Sequence, residues 1–156
     1  MNRPYPTRES GFFVAGLETR TSPELEAYPR TAKVPALWQQ FNTAEFYAKV
    51  PRKLAKEKPF VVYHSYGPEG SGAYSVTLGY QVPGLNDVAE GLSGLNVPPG
   101  RYLMFTAEGN PALAVPATWK GIQDYFKQPN APRRAYTFDY EVHESTARVS
   151  IFIAVQ

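Results

Sequence analysis

Hydrophobic and polar positions change period several times along the chain, and each change marks an element. Between Gly11 and Thr19 the apolar residues Phe12, Phe13, Val14 and Leu17 crowd together as in a buried strand. Ser22-Pro23-Glu24 follows as a turn or brief helix start, with Ser as cap and Pro in the first position. The spacing then becomes helical: Val34, Leu37, Trp38 and Phe41 fall on one face, with Pro35 tolerated in the first turn. A second short helix is expected through Glu45 to Lys49. Phe60 to Tyr66 reads as a strand, Gly67 to Gly72 as a turn, and Ala73 to Val82 as the hairpin partner. Residues 83–99, rich in Gly and Pro, read as a crossover loop. Residues 1–10, broken by Pro4 and Pro6, read as a frayed lead-in.

The same order of elements then returns. Arg101 to Thr106 is a strand, and Val115 opens a helix with Trp119, Ile122 and Phe126 on its apolar face. Tyr136 to Val142 and Arg148 to Val155 make a second hairpin. Val34-Pro-Ala-Leu-Trp38 reappears as Val115-Pro-Ala-Thr-Trp119, differing only where Leu37 becomes Thr118. The expected fold is therefore α+β, made of duplicated strand-helix-strand-strand units at about 11–82 and 97–156 and related by a pseudo-twofold axis. An antiparallel sheet would carry helices on one face, with a ligand cleft between the halves. A chain of 156 residues suits one such domain, 1–156.

Alternation along Arg134 to His143 puts Thr137, Asp139, Glu141 and His143 on one side of a strand and Phe138, Tyr140 and Val142 on the other. If the apolar set packs on the helix bearing Trp119, Glu141 points to the junction of the halves. Val149, Ile151 and Ile153 of the partner strand would then face the helix, leaving Ser150, Phe152 and Ala154 beside Glu141. Matching strands element by element places His64 and Tyr66 where Asp139 and Glu141 stand in the second half. The candidate ligand-binding residues are thus Glu141, Tyr66, Trp119, Phe105, Phe152, His64, Asp139, Ser150 and Phe13. The plainer alternative is an amphipathic strand with a wet acidic face and two tryptophans in the core.

Composition narrows the chemistry. With 43% hydrophobic residues, 11 Tyr and 9 Phe, the chain can build aromatic pockets. A net charge of +2, with Lys and Arg scattered outside Lys49 to Lys58, does not make a nucleic-acid surface. The absence of Cys excludes disulfides, thiol nucleophiles and Cys-based zinc sites, and two His do not make a metal cluster. Gly67, Gly70 and Gly72 suggest a phosphate loop, but a strand follows and no Lys-Ser or Lys-Thr does, so a hairpin turn fits better. His64 and Ser65 point to opposite faces and lack a nucleophile elbow. No metal and no cofactor are expected. Without an apolar leader or a run of about 18 apolar residues, a cytoplasmic protein with no membrane partner is the expectation.

Several stretches carry a family resemblance: Val62-Tyr63 to Tyr66, Gly72-Ala-Tyr74 through Gly79 and Val82, Val97-Pro-Pro-Gly-Arg-Tyr-Leu-Met-Phe-Thr106, Trp119, Tyr136-Thr-Phe-Asp-Tyr-Glu141 and Ile151-Phe-Ile-Ala-Val155. In these the chain resembles the GyrI-like effector-binding family of AraC-type and multidrug-responsive regulators, nearest its stand-alone, integron-associated branch. The resemblance implies a duplicated α+β fold whose cleft recognises lipophilic cations through a glutamate, here Glu141. Many relatives carry further acids where this chain has Ser150 and Ser65-Tyr66-Gly67. Three functions follow as expectations. The first is binding of amphipathic, cationic small molecules, for sequestration or for regulation through an unidentified protein partner, without direct operator binding. The second is hydrolysis of strained cyclopropanoid compounds with Glu141 as general base. The third is protein interaction, as in a DNA gyrase inhibitor.

Overall fold

Apolar periodicity and capping chemistry set the elements, which the computed structural model describes over residues 3–156. In chain order these are β1 Tyr5–Glu9, β2 Phe12–Thr21, α1 Pro23–Glu26, α2 Val34–Phe41, α3 Ala44–Ala48, β3 Pro59–His64, β4 Tyr74–Val82, β5 Ser93–Val97, β6 Gly100–Glu108, α4 Pro111–Phe126, β7 Phe138–Ser145 and β8 Arg148–Ala154. The Ser22 hydroxyl caps α1 by accepting from the Leu25 amide at 3.2 Å, and Thr43 caps α3 in the same way at 3.1 Å. No helix among the described residues is long and apolar enough to cross a membrane.

All strands join one antiparallel sheet in the order β1-β6-β8-β7-β3-β4-β2-β5. The order is symmetric about the β3–β7 pair, which joins β2-α2-β3-β4 to β6-α4-β7-β8. The strand leading each unit crosses to the other: β1 pairs with β6, and β5 with β2. These two edge strands correct the expected lead-in and the expected loop. Pro6 does not prevent pairing at an edge, where a strand needs hydrogen bonds along one side only. In β5, Leu95 and Val97 pack inward although Gly and Asn interrupt the pattern. The expectation for Met1 and Asn2 falls outside the described residues.

Both long helices lie on one face of the sheet. Leu37 and Phe41 of α2 cover Val61, Val76 and Leu78, while Ile122 of α4 covers Phe105, Ile151 and Ile153. The register places Val61 opposite Glu141 and Glu141 opposite Ile151, so these three share that face. The other face holds its own core of Val14, Phe60, Val62, Tyr102, Tyr140 and Phe152. Phe12 of β2 and Tyr140 of β7 are three strands apart, about 14 Å in a flat sheet, yet their ring centroids are 4.9 Å apart. The sheet therefore curls over this face, bringing β2 onto β7. Curling reverses the expected orientation of β7. Tyr140 and Val142 fill the concave side, and Glu141 points toward the helices instead of away from them. The hollow between the halves accordingly lies on the helix side, because the concave side is packed solid with aromatic rings.

Candidate ligand-binding cleft

The repeated pentapeptide builds the walls. Val34, Pro35 and Trp38 of α2 face Val115 and Pro116 of α4 across a cleft of about 880 Å³, with the central strands β3 and β7 as its floor. In the first copy Val34 opens the helix. In the second, α4 begins four residues earlier, at Pro111, with Asn110 capping the Ala112 amide at 3.1 Å. Pro116 therefore lies inside a helix and forgoes one backbone hydrogen bond. The added turn brings Pro111 and Ala112 to the mouth of the cleft.

Glu141 sits at the floor, 3% exposed. Its Oε2 accepts from the Tyr63 hydroxyl and from the Trp119 indole N–H, both at 2.7 Å, and its Oε1 lies 2.9 Å from His143 Nε2. Tyr63 stands opposite Asp139 in the β3–β7 register, which makes it the diagonal neighbour of Glu141 on the same face. Burial, then the adjacent Glu141 charge, pushes the Tyr63 phenol well above its ordinary range, so it remains a donor. The Tyr63 ring meets Trp119 edge-on at 5.2 Å, and Trp38 lies 4.9 Å from the His143 ring. A carboxylate removed from water is costly unless donors replace the lost hydration, and here three do. Among the described residues Glu141 has no Lys or Arg partner. At the rim, Lys58 pairs instead with Glu144 at 2.6 Å.

The second acid of the strand is held differently. Asp139, 0% exposed, accepts from Arg134 at 2.7 Å and Tyr66 at 2.5 Å through Oδ2, and from the Ala154 amide at 2.9 Å through Oδ1. Arg134 in turn lies 4.5 Å from the Tyr136 ring. Burial, then the neighbouring Asp139 charge, raises the Tyr66 phenol well above its usual value. Asp139 and Tyr66 are thus partners in a neutralised structural cluster.

Of the residues singled out in the sequence, Glu141 and Trp119 come together at the cleft. Phe105 lies in the core under α4, against Tyr125 and Phe126. Phe152 stacks on Tyr140 at 4.6 Å on the concave face, and Ser150, two residues away on β8, shares that face. His64 also lies there, 2.9 Å from the Thr77 hydroxyl, and burial lowers its pKa. Phe13 packs at the edge of the α2 core. Phe152, Ser150 and His64 are outside the cleft because the sheet curls and because matching the halves by strand order placed β3 one residue out of phase with β7, whereas Phe105 and Phe13 are covered by the helices themselves. Tyr63, Trp38 and His143 were missed. The pentapeptide repeat was the signal for Trp38, since it marks equivalent positions on both walls.

Residues 7–155 match the family described as integron-associated effector binding protein. An integron cassette protein from the mobile metagenome of Vibrio cholerae is similar at 30% identity, with a TM-score of 0.83 over 98% of this chain and 95% of that one. SAV2435, solved bound to tetraphenylphosphonium, is 14% identical with a TM-score of 0.78 over 99% of this chain and 94% of its own. A putative transcription regulation protein from Staphylococcus aureus MU50 is also 14% identical, with a TM-score of 0.75 over 99% and 98% of the two chains. No curated protein sequence matches this chain.

Proposed function

The chain belongs to the integron-associated effector-binding proteins, and from that premise we propose that the cleft between α2 and α4 takes up lipophilic monocations against Glu141. The observation that carries this reading is a buried carboxylate held by Tyr63, Trp119 and His143, without Lys or Arg, under walls of indole and aliphatic groups. A positive centre about 4 Å from such a group gains on the order of 4 kcal/mol at an effective dielectric near 20. Covering about 300 Å² of apolar ligand surface adds about 7 kcal/mol, against an association cost of at least about 4 kcal/mol. The balance corresponds to micromolar binding. The cation found on SAV2435 supports this choice of ligand charge. Uptake would serve either sequestration or presentation of the liganded state to a partner protein.

Trp38 lines this cleft and the Trp119 indole donates to Glu141 at its floor, so intrinsic tryptophan fluorescence reports on its occupancy. Titration with tetraphenylphosphonium is expected to quench it with a micromolar Kd, at least about tenfold tighter than neutral triphenylphosphine oxide. Equal affinities would contradict the role given to charge.

A further inference from the structure

We propose that His143 makes ligand uptake proton-linked: its imidazolium is an internal cation for Glu141, and an incoming cation competes with the proton it carries. This rests on the reading that the cleft binds cations at Glu141. Strict alternation would turn Glu144 away from the cleft, but a register irregularity between His143 and Ser145 lets His143, Glu144 and Ser145 all line it. His143 Nε2 reaches Glu141 Oε1 at 2.9 Å, whereas Nδ1 makes no hydrogen bond among the described residues and is open to a proton from the cleft.

The surroundings of the ring leave this acid as its main charged contact. On β7 it faces Glu141 and, beyond the irregularity, Glu144, which Lys58 already pairs at 2.6 Å. From α2 it meets the Trp38 indole, from β8 Val149 is its register partner, and from β3 the Tyr63 phenol shares Glu141 with it. Lys56 and Glu57 stand at the rim, and Glu57 accepts from the Tyr47 hydroxyl. The other histidine, His64, lies on the far face of the sheet against Thr77.

Imidazole is the side chain whose ordinary titration falls between about pH 5 and 8. With the ring protonated the charge of Glu141 is already matched, and a ligand cation meets a like charge beside it. Without that proton His143 is a neutral donor and the carboxylate charge is available. Cation affinity therefore rises with pH and levels off, by at most about tenfold per unit for one displaced proton. By reciprocity, bound cation must hold the proton off His143.

The test is the Kd of tetraphenylphosphonium at pH 5.5 and pH 8, with triphenylphosphine oxide as neutral control. Binding of the cation is expected to be at least about tenfold weaker at pH 5.5, the control unchanged, and the difference lost in His143→Gln, which keeps an N–H toward Glu141 without a charge. A readout that needs no variant is the NMR titration of the His143 ring proton, which saturating tetraphenylphosphonium should move to lower pH. Cation affinity that ignores pH, an equal slope in His143→Gln, or an unmoved ring titration overturns the proton link. Absence of cation preference at pH 8 overturns instead the reading of the cleft on which the link rests.

Discussion

Replacing Asp139 by alanine is expected to cost about 3–5 kcal/mol of folding stability, read as a large fall in the urea midpoint with the slope unchanged. The change removes the partner of a largely buried Arg134 and strands the Tyr66 hydroxyl and the Ala154 amide together. An uncompensated buried charge is the dominant part of that loss. Asp139→Asn should lose less, since its carbonyl oxygen can still accept from Ala154. A cost below about 1 kcal/mol for the alanine variant would mean that the cluster is not the structural device described above.

Glu141→Gln should behave in the opposite sense. The amide oxygen can take over the bonds from Tyr63 and Trp119, and its NH₂ can donate to His143 Nε2 once that ring changes tautomer. Stability is therefore expected to move by no more than about 1 kcal/mol. Tetraphenylphosphonium affinity, by contrast, should fall at least about tenfold and by as much as about a thousandfold, since a Coulomb contribution on the order of 4 kcal/mol is removed. Triphenylphosphine oxide should bind both forms alike. Titrating each ligand into wild type and variant reads this directly, and an undiminished cation affinity in the variant would separate the carboxylate from recognition. Two acids two residues apart on one strand face thus differ in whether an Arg neutralises them: Asp139 pairs with Arg134, and Glu141 pairs with no Lys or Arg among the described residues.

How much of this was legible in the sequence follows from the range of each signal. Helical spacing at Val34 to Phe41 and at Val115 to Phe126, and the two hairpins, are local patterns and gave the duplicated α+β plan. The pentapeptide repeat tied α2 to α4 without any structural knowledge. The strands β1 and β5 are short, polar and interrupted by Pro or Gly, and they exist only because β6 and β2 offer free edges. The orientation of β7 was not local either. Its greasy side chains could face a helix or a concave sheet, and only the curl that brings Phe12 onto Tyr140 decides between them. Alternation along β7 singled out Glu141 as facing away from the Tyr140 side, and the structure places it at the floor of the cleft. Tyr63 and His143 were passed over because their importance lies in where their polar atoms end, at Glu141, and not in residue type.

The central claim is that the cation rests over Glu141 between α2 and α4, against Trp38. Tetraphenylarsonium has the shape and charge of the phosphonium and an anomalous scatterer at its centre, so a crystal grown with it locates that charge without interpretation of the rings. The account predicts one strong arsenic peak inside the cleft, within about 6 Å of an indole ring centroid and above the Glu141 carboxylate. A peak beside Arg134, on the concave face, or outside the α2–α4 cleft would contradict it.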